Sequence, residues 1–171
     1  KITRDSDKKS ITLNGEQSYT NLNGGTLAKL STLESVIHTV VSNGLSVTFK
    51  DGSKRTWQVS QKRVYTYNNG IVATVLGMRT EGNDTNIAIW GINRFGTAFT
   101  SSITSPIVIR QDCSFRLTEG EIKHTLGPIT ATATFGLNAS GNPVSCPSGK
   151  YYYKLAWADS EGNDLQVLLP Y

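Results

Sequence analysis

Charge is what this sequence has least of. Only 18% of its 171 residues are Asp, Glu, Lys or Arg, against roughly 25% in ordinary soluble domains. The net charge is +4, but the basic residues are scattered and form no polybasic tail. That argues against a nucleic-acid reader, which gathers Lys and Arg on one face. Long apolar runs are also missing, so no segment reads as a membrane span. No signal peptide is visible, which leaves a cytosolic chain or an exported one whose leader has been removed.

Cysteine is limited to Cys113 and Cys146, far apart and without C-x-x-C spacing. With only His38 and His124 to add, no zinc pattern emerges, and no metal or other cofactor is expected. A Cys113–Cys146 disulfide is the simpler expectation. It would contribute roughly 3–4 kcal/mol by loop closure and suit an oxidising compartment.

Catalytic signatures are missing too. There is no G-x-S-x-G elbow and no glycine-rich phosphate loop. His38 lies among β-branched residues, and His124 alternates with Ile122 and is expected to point outward. Asp51, Glu81, Asp84, Glu119, Glu161 and Asp164 all fall in turn signals. Glu119 and Glu121 flank Gly120, which reads as a hairpin tip. No catalytic residue is assigned.

What the sequence has in abundance is alternation. Trp57, Val59, Tyr65 and Tyr67 share one parity; Ile129, Ala131, Ala133 and Phe135 alternate with Thr130, Thr132 and Thr134; Tyr151, Tyr153, Leu155 and Trp157 share another. Short turn signals such as SNG, KDGS, YNNG, TEGE and LNASGN separate these runs. Asp51-Gly52 and Asn69-Gly70 are strong hairpin signals. The expectation is an all-β antiparallel sandwich, barrel-like as a variant, of about a dozen short strands. Residues 1–16 read as a polar N-terminal arm or tether, and 17–171 as one domain, with two β-meander halves as a variant. A short helix is allowed only within TLAKLSTLESVIHTVV.

The tetrad EGND occurs at Glu81–Asp84 and again at Glu161–Asp164. Four residues with two carboxylates cannot meet calcium's need for six to eight oxygens, whereas Gly, Asn and Asp suit a hairpin turn. The expectation is one turn used twice.

Two strand-borne rows invite function. Trp57, Tyr65 and Tyr67, with Tyr151, Tyr153 and Trp157, could together stack on sugar rings if exposed. The competing expectation is a core in which both tryptophans are buried and the tyrosines intermediate. Thr130, Thr132 and Thr134 form a single hydroxyl ladder of the kind seen on ice-binding surfaces.

From WGINRFGTAFTSSITSPIVIRQDCSF through EIKHT, TATFGLNASGNPV, YYYKLAW and the terminal VLLPY, the chain resembles secreted β-rich lipoproteins of Bacteroidota, over roughly residues 54–171. The resemblance implies an extracellular or cell-surface setting, with a lipid tether ahead of Lys1. It brings no substrate and no site residue. The reading is a non-enzymatic β protein with a structural, adhesive or self-assembling role, its partners being copies of itself or other surface components. The alternative is a glycan-binding module using the Tyr and Trp strands.

Overall fold

The computed structural model describes every residue except 1, 5, 7–9, 33, 34, 148 and 160. The described residues form an all-β, antiparallel fold. Its strands are β1 (Ile2–Thr3), β2 (Ser10–Asn14), β3 (Gln17–Asn21), β4 (Val36–Thr48), β5 (Lys54–Tyr67), β6 (Ile71–Gly77), β7 (Arg79–Glu81), β8 (Asp84–Ile92), β9 (Ala98–Arg110), β10 (Arg116–Leu126), β11 (Ile129–Leu137), β12 (Tyr152–Ala158) and β13 (Asp164–Pro170). They make one sheet rather than two stacked ones, in the order β1-β2-β4-β5-β6-β9-β10-β11-β12-β13, with β3 beside β4 and β8 between β5 and β9. The allowed helix is one 3-10 segment, Leu27–Thr32, and the strand begins at Val36. The sheet also reaches past the expected arm boundary at residue 16, because Thr12–Asn14 pair with Thr48–Ser46.

Several strands are twice the expected length, and the reason is specific. SNG and TEGE, read as turns, are bulges inside continuous strands. The β4–β5 register shifts between Ser42 and Leu45, where Gly44 has φ +109°. The Ser42 hydroxyl there accepts the Val59 N–H at 2.8 Å. Likewise Glu119-Gly120-Glu121 is no hairpin tip: the β9–β10 register shifts on both sides of Gly120, whose φ is +123°. Pro106, which has no N–H to give a ladder, lies in β9 in the same irregular stretch. Bulges add an unpaired residue to one strand and sharpen its twist, so a sheet built this way curls.

The centre of the sheet has an unusual construction. Residues 56–59 of β5 pair with β8, and residues 61–67 pair with β6. Both partners use the β5 edge that β4 leaves free. β9 does the same from the other side, pairing with β8 through Ala98–Ser102 and with β6 through Ile107–Arg110. β6 and β8 therefore share one gap end to end, and β5, β6, β9 and β8 make a closed circuit of pairings. This circuit is the barrel-like part of the fold. Between the two segments the chain leaves as the β7–β8 hairpin, with Glu81 opposite Asp84.

Both EGND tetrads are hairpin loops, but they are two different turns. At the first, Gly82 (φ +58°) and Asn83 form a two-residue loop between Glu81 and Asp84. The second belongs to a five-residue loop, 159–163, in which the first N–H bonds the last C=O and the fourth N–H bonds the first C=O. That five-residue loop recurs at 49–53, 93–97 and 138–142, with closing bonds of 2.9 Å in each. Its fourth residue is always glycine, Gly52, Gly96, Gly141 or Gly162, at φ between +78° and +85°. It is a turn followed by a left-handed residue, the usual three-residue hairpin connection. Asn93, Asn138 and Asp159 each accept two loop N–H groups on Oδ1. The repeated unit is this x-x-Gly connection, and only one of its four copies overlaps an EGND tetrad.

Candidate functional site

Residues opposite each other in a ladder share a face, so register assigns the two sides of the sheet. One row runs Ser42, Val59, Ile89, Ser101, His124, Ala131, Trp157, Leu165 from β4 to β13. A second runs Ile103, Ile122, Ala133, Leu155, Val167. A third runs Val36, Tyr65, Ala73, Ile109, Leu117. The opposite side carries Ser102, Lys123, Thr132, Ala156 and Gln166. From β9 to β13 the sheet thus has one apolar and one polar face, whereas at the central junction fully buried Ile87 stands opposite Ser102.

The expected Thr ladder lies on the polar side. Thr134 donates to Glu121 at 3.1 Å, and Thr125 and Thr130 share a 3.4 Å bond, so its hydroxyls are partly engaged with neighbours. Asp84, from the first EGND, accepts the Lys123 ammonium at 2.8 Å.

The apolar side is hollowed. Val75, Ala88, Ile103 and Ile107 form a buried cluster, packed by Leu117, Ile122 and Phe135. Over them lies a trough of about 530 Å³, with Arg63 and Tyr65 of β5 along one side and Leu27 and Phe115 at its border. Phe115 and its neighbour Ser114 both hold left-handed backbone, φ +56° and +60°. For a residue other than glycine that geometry is costly and is kept where surrounding structure demands it.

The six aromatic residues fall on this side but do not meet. Trp57 faces Arg55, whose guanidinium carbon lies 5.4 Å from the indole and 4.8 Å from the Phe99 ring. Tyr65 meets His38 edge-on at 5.2 Å, and Tyr67 is exposed. Five strand positions away, on β12, Tyr153 stacks on Phe135 at 5.7 Å, and Tyr171 joins both Tyr151 and Tyr153. Tyr65 and Tyr153 are intermediate as expected, but the tryptophans and Tyr151 are not where burial was expected. Tyr151 is 1% exposed while Trp57 and Trp157 are intermediate. Tyr171 explains this: its N–H bonds the Tyr151 carbonyl at 2.9 Å and its hydroxyl donates to the Leu117 carbonyl at 2.5 Å. Tyr171 therefore closes over Tyr151.

His124 also departs from expectation. It sits half-buried on the apolar side, sharing a 2.8 Å bond with Ser101 and lying 5.5 Å from the Phe99 ring. Burial first, then the Arg55 charge, lowers its pKa from the usual 6.5. A serine beside an imidazole is the beginning of a nucleophile pair, but a working base is itself oriented by a third group. No carboxylate is described on this imidazole. The pair therefore reads as two polar groups satisfying each other on an apolar face.

A pH dependence follows. With its folded pKa depressed, His124 takes a proton later in the fold than in the unfolded chain, so acid favours unfolding. Stability from this group is complete above the unfolded value near 6.5 and is lost as pH falls toward the depressed folded pKa. The drop in melting temperature between pH 7.5 and pH 5 should be smaller in His124→Gln than in the native chain. Equal drops would show that His124 is not desolvated.

The expected disulfide is present. Cys113 and Cys146 are bonded with α-carbons 5.0 Å apart. Asp112 lies close to both sulfurs, but they are spent on each other. Its carboxylate takes two bonds from Arg110, which are the main reason its pKa is lowered, so this cluster is no ion site. Arg116 donates to the Gly149 carbonyl at 3.3 Å, pinning the same loop beside the start of β10.

Compared with known proteins, the chain matches no family model, no curated protein and no solved structure. The class defined by its own geometry is an all-β protein with one curled, two-faced antiparallel sheet and an apolar trough.

Proposed function

We propose that the protein is a non-enzymatic scaffold of an extracellular or cell-surface setting that joins copies of itself along the edge of β13. The observation that carries this reading is that edge. β13 ends the strand order, bonded to β12 on one side and to no other described strand. Leu165, Val167 and Leu169 are 40%, 37% and 36% exposed and continue the apolar face. Natural sheets blunt such edges with charge, proline or bulges. This strand carries a charge and a proline only at its two ends, Asp164 and Pro170, and the five residues between them, Leu165–Leu169, have neither.

Area and register favour a second copy as the occupant. The accessible surface is 10411 Å², whereas a compact 18.6 kDa monomer should expose about 8,200 Å². The excess, about 2,200 Å² in one copy, is well above the roughly 800 Å² that each partner of a standard interface buries, so it leaves room for such a joint. Two β13 strands pairing antiparallel about Val167 would set Leu165 opposite Leu169 of the other copy. Odd residues would then meet odd residues, and the apolar face would run unbroken through a two-fold axis. The disulfide supports an oxidising compartment, and export behind a lipid tether is what the resemblance to secreted lipoproteins implies.

Sedimentation velocity tests the joint. The native chain should sediment as a concentration-dependent dimer or larger, and Val167→Lys, which puts a charge at the centre of the edge, should sediment as a folded monomer. A native chain that stays monomeric at high micromolar concentration would sink the proposal. Glycan binding is the alternative. It would have to work from Trp57, Tyr65 and Tyr67 spread along β5 and from Tyr151, Tyr153 and Trp157 on or beside β12, strands well apart in the sheet.

A further inference from the structure

We propose that the trough on the apolar face binds one long-chain carboxylate, its acyl chain along the floor and its headgroup on Arg63. The inference does not depend on self-association, since the trough is bordered by β5, β6, β9 and β10 while the joint is on β13.

Three observations lead to this ligand. The first is size and lining. A volume of about 530 Å³ lies within the roughly 300–1,000 Å³ of small-molecule sites, which are mostly apolar with few polar groups. The floor of Val75, Ile103, Ile107 and Ile122 suits a hydrocarbon chain.

The second is charge. Arg63 is the one charged side chain among the residues lining the trough. Its Nε is buried without a hydrogen-bond acceptor. Its Nη2 reaches only the neutral Gln61 amide, at 3.3 Å, and its guanidinium lies 5.8 Å from the Tyr19 ring. Among the described residues no carboxylate pairs with it. A guanidinium donates five N–H groups in a fork that fits a carboxylate, and a buried donor left unsatisfied is costly. An incoming carboxylate would satisfy the orphaned Nε and supply the missing counter-charge.

The third is the border. Leu27 and Phe115 are large, exposed apolar side chains at the trough's edge, and Phe115 is held there by a left-handed backbone. A chain lying in the trough would cover both and the floor beneath. A simple apolar ligand would use the floor but leave Arg63 unanswered, which makes an amphiphilic anion the better occupant.

The test is isothermal titration of the full chain with decanoate, below its micelle concentration, with decanol as the uncharged control. Decanoate should bind at one per chain. Arg63→Gln should weaken decanoate about tenfold or more, the scale of a hydrogen bond to a charged group, while changing decanol less than twofold. Ala73→Trp, which adds bulk at a position lining the trough, should abolish binding of both. Absence of saturable decanoate binding would overturn the proposal, as would equal weakening of both ligands in Arg63→Gln. Native-like decanoate affinity in a folded Ala73→Trp would overturn it as well. If Ala73→Trp does not fold, the Arg63→Gln comparison alone decides. A loss of decanoate affinity with sedimentation unchanged would separate this site from the β13 joint.

Discussion

The double variant Cys113→Ser/Cys146→Ser should lose roughly 3–4 kcal/mol of unfolding free energy, the loop-closure value for a bridge of this span. The bridge joins residues 33 apart in sequence. It ties the 3-10 segment Gln111–Cys113, between β9 and β10, to the irregular loop that precedes β12. Both sides then depend on it. Arg110 and Asp112 pair next to one cysteine, and Tyr151 is buried a few residues beyond the other. Urea unfolding followed by tryptophan fluorescence would measure the loss. A change under about 1 kcal/mol would mean that the loop is held by the Tyr151–Tyr171 packing instead. Intact-mass measurement with alkylation, before and after reduction, checks the starting state: two free thiols without reductant would remove the basis of the prediction.

The parts of this fold legible in the sequence are those set by local periodicity. Strand identity, the apolar parity of β11 and β12, and the Asp51-Gly52 and Asn69-Gly70 hairpins follow from side-chain alternation and from glycine or asparagine at positive φ. The disulfide could be inferred because only one pair was possible. What alternation cannot carry is whether a glycine ends a strand or bends it. Gly52 and Gly120 look alike in sequence, yet one closes a hairpin and the other lies in a bulge that keeps β10 whole. Strand lengths were therefore halved, and a single curled sheet looked like a set of short strands fit for a sandwich. The trough was missed for a related reason. Ile71, Ala73 and Val75 show their parity, but only the pairing of β6 with β9 brings them beside Ile107 and Ile109. Arg63 gave no signal, because a lone basic residue in a strand looks solvated. Tyr171 gave none either, since its partners Tyr151 and Leu117 are distant in sequence.

A large single-residue effect is expected at the central junction. Gly77 ends β6 opposite Gln61, at the point where β8 comes to share the same gap between β5 and β9. A Cβ on Gly77 would overlap the carbonyl of Asn86 and the backbone of Ile87. Its φ is not among the positive values, so dihedral strain is not the obstacle; the obstacle is space. The atoms in the way are backbone, held by the β7–β8 hairpin and by Ile87, which is fully buried and pairs with both Arg79 and Ser102. Relieving the overlap means moving β8 away from β6 and opening the circuit that forms the floor of the trough. Gly77→Ala should therefore cost about 4 kcal/mol or more, beyond the usual range for a point substitution, or prevent folding. Gly82→Ala is the matched control. That glycine has open space around it and only its left-handed φ to lose, so it should cost about 1–2 kcal/mol. Thermal melts of the two variants side by side decide the matter. A Gly77→Ala protein as stable as Gly82→Ala would show that β6 and β8 do not share one gap, and the account of the closed circuit would fail with it.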